Sequence, residues 1–198
     1  MVPLFWDQRY AENETVYGQE PNHFFKQFID KHKPGSILLP AEGEGRNAVY
    51  AASKGWKVDA FDFSAVARDK AIALAETKGV QVHYDLMAID QFKASKQYDV
   101  VALIYVHMPP DQRVKFHHEI LKAIKPGGFL LMEAFSKEQL ELESGGPRDA
   151  AMLYDAPSLC KDFQSLHMMT CHQKDLELDE GPFHKGPANV LRLTGQKI

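Results

Sequence analysis

The chain is poor in cysteine. Cys160 and Cys171 are its only two in 198 residues, which is too few for a disulfide framework and points to a reducing compartment. Positive charge is not in excess either. The 23 Lys+Arg stand against 27 Asp+Glu, a net charge of −4, whereas proteins that coat nucleic acid neutralise phosphates with surplus Lys and Arg. Long hydrophobic runs are missing: stretches such as Val100 to Val106 fall far short of the ~20 residues of a membrane-spanning helix. Met1-Val2-Pro3-Leu4-Phe5-Trp6-Asp7 lacks the basic stretch and apolar core of a secretory signal. No internal repeat, low-complexity tract or linker interrupts the chain. A hydrophobic content of 44% excludes disorder. These absences predict one soluble, cytoplasmic domain with no membrane or nucleic-acid partner, and no oligomer interface is legible.

What is present is an alternation of helical and apolar-run patterns. Phe24, Phe25, Phe28 and Ile29 repeat at helical spacing, and Pro34-Gly35 ends that segment. Ser36-Ile37-Leu38-Leu39-Pro40 reads as a buried strand, followed by a helix from Gly45 to near Gly55. Val58-Asp59-Ala60-Phe61 is a second strand, with Ser64 as N-cap of a helix reaching Gly79. Val80 to Tyr84 is a third strand, and Val100 to Tyr105 a fourth, apolar enough to be covered on both faces. A helix from Asp111 to Ile124 meets a stop at Lys125-Pro126-Gly127-Gly128, and Phe129 to Phe135 is a fifth strand. Beyond Ser136 come a charged, solvated helix (Lys137 to Glu143), a short helix near Pro157 to Phe163, and strand-like stretches His167 to Leu178 and Ala188 to Gln196. Five β-α units followed by two strands with no helix between them suggest a parallel sheet closed by an antiparallel hairpin.

The loop after the first strand, Ala41-Glu42-Gly43-Glu44-Gly45-Arg46-Asn47-Ala48, carries the chemistry. Two glycines allow a tight turn and close approach of a ligand to the backbone. The following helix offers free N–H groups and a positive dipole end. Seventeen residues after Gly45 comes Asp62, at the end of the second strand, where a carboxylate can bind both hydroxyls of a ribose. The run from Gly43 to Ala48 also satisfies G-x-G-x-x-A, so a nicotinamide-dependent oxidoreductase stays open.

With these features the chain resembles the class I S-adenosylmethionine (SAM)-dependent methyltransferases, across the five β-α units, the Lys-Pro-Gly-Gly turn and the terminal hairpin. The run Phe5-Trp6-Asp7-Gln8-Arg9-Tyr10, with Tyr17-Gly18 and Pro21-Asn22, is similar to the lid of small methyltransferases of the tellurite-resistance (TehB-like) and thiopurine groups. The resemblance implies an α/β, Rossmann-like, seven-stranded, mostly parallel sheet with helices on both faces and a C-terminal antiparallel hairpin. Residues 1–35 would form a lid segment, 36–135 the SAM-binding core, and 136–198 the C-terminal part with the hairpin. It also implies SAM as cofactor. Gly43 and Gly45 would face its methionine and ribose, Asp62 the ribose, Phe63 and Ser64 the adenine edge, and Asp85 and Leu86 the adenine amino group and ring. Ile104 and Tyr105 would line the floor near the sulfonium, and Trp6 and Tyr17 would close over it. The acidic residue usual on the first strand is replaced by Leu39, and the first loop glycine by Ala41. Glu42 is the candidate for the SAM ammonium and Arg46 for its carboxylate.

Methyl transfer needs alignment and exclusion of water, and a base only when the nucleophile holds a proton. His107, beyond the fourth strand, and His184, in Glu180-Gly181-Pro182-Phe183-His184, are the candidate catalytic residues. The first stands against a capping or packing role and the second against a solvated loop histidine. Tyr105-Val106-His107-Met108 lacks the Asn/Asp-Pro-Pro-aromatic motif of amino-group methyltransferases. A small-molecule acceptor, such as a thiol or chalcogen compound, is expected. Cys160, His167, Cys171 and His172 match no common zinc spacing, so no metal is expected. A SAM-binding regulator or scaffold without turnover remains the non-enzyme alternative.

Overall fold

The computed structural model describes residues 2–198, with side chains from Phe5 onward. Its seven strands belong to a mixed sheet, the α/β Rossmann-like fold expected. The chain divides into two compact units, one up to Gln91 together with Glu180–Phe183, the other Phe92–Asp179 together with His184–Ile198.

The first unit contains α1 (Val2–Glu12), α2 (His23–Ile29), β1 (Ser36–Pro40), α3 (Arg46–Ser53), β2 (Lys57–Asp62), α4 (Ala65–Thr77) and β3 (His83–Leu86). Strand β2 pairs in parallel with both β1 and β3. Ile37, Leu38 and Leu39 are all buried, as an apolar run covered on both faces requires. Helix α4 buries Ala67, Ala71 and Ala75, a stripe at four-residue spacing whose small side chains admit a close neighbour. Ser64 caps α4, accepting from the Ala67 N–H at 3.1 Å.

The third strand begins three residues later than its apolar pattern suggests. The Gly79 N–H donates to Glu76 O and the Val80 N–H to Ala75 O, which is a Schellman closure of α4. Val80 is therefore spent on ending the helix. Helix α3 ends the same way, with Gly55 N–H to Ala52 O and Trp56 N–H to Ala51 O.

The second unit holds β4 (Tyr98–Ile104), α5 (Pro110–Ala123), β5 (Ile124–Phe135), α6 (Ala156–Asp162), β6 (His167–Asp179) and β7 (Lys185–Gln196). Strands β4 and β5 are parallel, and β7 runs antiparallel between β5 and β6. Helix α5 ends at Ala123, as the Lys125–Gly128 stretch led one to expect, but the fifth strand starts at Ile124 and runs through that stretch. Ile124 pairs with Tyr98 and Phe129 with Val100, so these residues form a bulge inside β5. The charged helix expected from Lys137 to Glu143 is a single 3-10 turn, Lys137–Glu141. Its Gln139 is buried, donating to Ser144 and Gly145 and accepting from the Asn189 N–H. Phe135, Leu153, Leu178, Ala188 and Val190 form a core cluster here. Among the described residues no helix is long and apolar enough to cross a membrane.

Candidate cofactor site and residues at the end of the fourth strand

The β1–α3 loop is built from its own backbone and two carboxylates. Ala41 takes φ 50°, a left-handed conformation costing ~1–2 kcal/mol in an L-residue. Glu42 lies against the start of α3. Its Oε1 accepts the N–H groups of Asn47 and Ala48, both at 2.8 Å, and Oε2 accepts from Asn47 Nδ2 at 3.3 Å. Burial still outweighs these bonds and pushes the Glu42 carboxyl up to about 7.

Asp62 ends β2 facing this loop, with 5% of its surface exposed. Oδ2 accepts the Gly43 N–H at 3.1 Å and Oδ1 the Ser64 N–H at 2.9 Å. Burial raises its pKa, with the N–H donors opposing. Tyr84 on β3 donates to Gly43 O at 2.6 Å. At Gly45, with φ 81°, a Cβ would lie 2.5 Å from Ala71 Cβ of α4, so this glycine serves helix packing. At Gly43 an added Cβ would lie 2.8 Å from the Tyr10 hydroxyl.

The polar residues of the loop hold the N-terminal segment. Glu44 accepts the Val16 N–H at 2.8 Å and pairs with Lys70 at 3.0 Å. Asn47 Oδ1 accepts the Asn22 N–H at 2.9 Å. Arg46 donates to Tyr17 O and pairs with Glu180 at 2.7 Å, while Asn22 Nδ2 reaches the other oxygen of Glu180. Tyr10, Val16 and Ala67 form a cluster with Trp6, Tyr17, Val66 and Phe183 packed against it. Trp6 stacks on Tyr10 with centroids 5.7 Å apart, and the Arg9 guanidinium lies over Phe5, Trp6 and Phe183. Burial pushes the Tyr17 phenol up to about 12 against the Arg9 charge and raises Tyr10 well above its ordinary value. Asp7 of α1 accepts the Ser64 hydroxyl.

In the second unit, Ile104 ends β4 half-buried and Tyr105 follows with φ 55°. The Tyr105 hydroxyl donates to Glu133 at 2.9 Å, and Arg192 ion-pairs with the other Glu133 oxygen. Strained backbone beside a buried ionic network is a common mark of functional sites. His184 is buried and meets Tyr105 and Phe135 edge-on at 4.5 and 5.3 Å, so it is not a solvated loop histidine. His107 Nδ1 donates to Met152 O at 2.9 Å, and Nε2 accepts the Phe135 N–H at 3.2 Å. Burial depresses its pKa to about 4. Both nitrogens are thus committed to backbone groups and the ring is neutral. This is the packing role weighed against a base at His107.

Residues 37–128 match the family described as methyltransferase domain. This stretch is similar to a methyltransferase domain. Over 101 residues the chain is 29% identical to the ubiquinone biosynthesis O-methyltransferase of Rickettsia canadensis, covering 51% of this chain and 43% of that protein. The chain therefore spans less than half the length of that curated relative. Among solved structures, TehB from Haemophilus influenzae aligns with TM-score 0.74 at 14% identity, over 99% of this chain and 67% of that one. The N-methyltransferase NodS from Bradyrhizobium japonicum, in complex with S-adenosyl-L-homocysteine, aligns with TM-score 0.72 at 13% identity, over 96% of each chain. At such identities these two likenesses are of fold.

Of the residues expected to bind the cofactor, the first unit brings together Ala41, Glu42, Gly43, Gly45, Asp62 and Ser64, with Trp6 and Tyr17 in the neighbouring aromatic cluster. Phe63 is half-buried beside them, and Asp85 and Leu86 stand exposed where β3 ends. Arg46 points instead to Glu180. Sequence reasoning missed Tyr10, Asp7 and Glu44. The i, i+4 spacing of Trp6 and Tyr10 on one helix was the available signal.

Proposed function

We propose that this protein is a SAM-dependent methyltransferase that moves a methyl group by in-line displacement to a small-molecule acceptor. The observation that carries the reading is Asp62. Its two carboxylate oxygens accept the Gly43 and Ser64 N–H groups, with the Phe63 N–H also acting on the carboxylate, which fixes it at the end of β2 where it suits the hydroxyls of a ribose. Glu42 adds to the fit. A carboxyl raised to about 7 beside a helix start is returned to its charged form by an ammonium group. Bound SAM supplies a methyl group already activated on a sulfonium. The chain then has to bind, orient and exclude water: Trp6, Tyr10 and Tyr17 shield the loop side, and Asp62 and Glu42 fix the orientation.

We propose thiols or chalcogen oxyanions as acceptors. Support comes from His107, whose nitrogens are both engaged, because a nucleophile already deprotonated at neutral pH needs no base. An oxygen acceptor, as the name of the Rickettsia relative carries, belongs in the same assay.

A thermal-shift panel of SAM, S-adenosylhomocysteine, NAD and NADP tests the cofactor. Stabilisation by the first two is expected, and Asp62→Ala should abolish it. Stabilisation by NAD alone overturns the reading. Methyl transfer from labelled SAM to thiols, selenite, tellurite, halides and a metabolite extract tests turnover, and absence of any product points to a scaffold.

A further inference from the structure

Outside the SAM-binding loop, a pair of nucleophilic side chains remains without a role. Cys160 on α6 and Cys171 on β6 place their sulfurs 2.8 Å apart. That is within ~0.8 Å of the ~2.04 Å length of a disulfide bond. Both residues are free thiols and partly exposed, so a small oxidant reaches them. The contact runs along one helical turn, since Cys171 Sγ also lies 3.9 Å from Ala156 O at the start of α6. No third ligand gathers there: among the described residues no three His, Cys, Asp or Glu side chains are placed to hold a metal.

We propose that Cys160 and Cys171 are a redox-active dithiol that closes reversibly into a disulfide, stapling α6 to β6, with a small-molecule disulfide as its oxidant. Such a pair fits a reducing compartment, where disulfides are transient and redox-linked rather than structural. The chemistry balances as thiol–disulfide exchange. The Cys160 thiolate attacks one sulfur of the small disulfide, forming a mixed disulfide and releasing one thiolate. Cys171, after losing its proton to solvent, attacks the Cys160 sulfur and expels the second thiol. Two protein thiols are oxidised, and one small disulfide is reduced to two thiols. The order follows from environment. Burial and the adjacent Cys160 push the Cys171 thiol up to about 12, making it the poorer first nucleophile and the resolving partner.

The staple adds a constraint where the fold already converges. Asp155 caps α6 through the Ser158 N–H, and Asp162 at its other end pairs with His117 and Arg113. Just before the helix, Tyr154 donates to Val106 O, and Met152 O receives the His107 ring. Oxidation would stiffen the segment that supports the residues following β4.

The test uses the full chain and does not depend on its methyltransferase reading. The protein is incubated with glutathione disulfide, quenched by alkylation and weighed intact. The expected product is a monomer lighter by two hydrogens, with no alkylatable thiol, restored by dithiothreitol. It should melt about 5–10 °C higher, as closing a loop of roughly a dozen residues implies. Under the same conditions Cys171→Ser should halt as the glutathione mixed disulfide at Cys160. Two thiols that stay alkylatable, a wild-type end product carrying glutathione, or only disulfide-linked dimers would each overturn the proposal.

Discussion

Replacing Glu42 by Gln separates stability from binding at one atom pair. The Glu42 carboxyl rises from an ordinary 4.5 to about 7 in the folded chain. A carboxyl whose folded pKa lies above its unfolded value contributes stability that is complete below pH 4.5 and lost as pH rises through 7. At ~1.36 kcal/mol per pH unit, the loss is roughly 3 kcal/mol. Glutamine keeps an oxygen to accept the Asn47 and Ala48 N–H groups but has no proton to lose. Its amide nitrogen replaces an oxygen whose contact to Asn47 Nδ2, at 3.3 Å, is the weakest of the three. Glu42→Gln should therefore match or fall slightly below the parent at pH 4.5 and exceed it by about 2–3 kcal/mol at pH 8, or about 4–12 °C for a chain of this size. Urea unfolding of ligand-free protein across pH 4.5–8 measures this. A variant no more stable than the parent at pH 8, or one whose advantage is the same at both ends, refutes the burial argument. In the proposed cofactor site the same substitution weakens SAM binding, and parental SAM affinity tightens from pH 6 to 8.

Two other substitutions test the packing. Gly45→Ala meets Ala71 Cβ at 2.5 Å with φ 81° and should cost about 2–5 kcal/mol. Adding Ala71→Gly should restore the steric part alone, so a double-mutant cycle by urea unfolding with no coupling would sink the assignment. His107, depressed from 6.5 to about 4, supports the fold fully above pH 6.5 and loses about 3 kcal/mol as pH falls to 4. His107→Phe should lower stability at pH 7, because Met152 O and the Phe135 N–H lose their partner, and flatten the acid limb. An acid limb as steep as the parent's argues against the neutral, buried ring.

The α/β order was legible because local signals agree with it. Ile37 to Leu39 is a short apolar run, and Ser64 stands where α4 needs a cap. The misplaced boundaries share one cause, a tertiary partner invisible in a local pattern. Val80 looks like strand but closes α4, and Lys125–Gly128 ends α5 as read yet already belongs to the fifth strand, as a bulge opposite Asp99. The loop and Asp62 were readable from spacing, since both belong to one β-α-β unit. Arg46 was not, because Glu180 lies 134 residues away in sequence. His107 drew attention by its position after β4, yet its partners are 28 and 45 residues distant.

Glu44, Arg46 and Asn47 sit within the very turn proposed to receive the cofactor, and each is also tied to Val16, Tyr17 or Asn22. If a ligand at the turn strengthens these contacts, its occupancy and the order of the N-terminal segment are linked. A ligand that tightens these contacts raises protection of residues 16–22 against hydrogen exchange, and loosening that segment lowers affinity by the same free energy. Substitutions in the segment that touch no ligand atom will therefore register as binding defects.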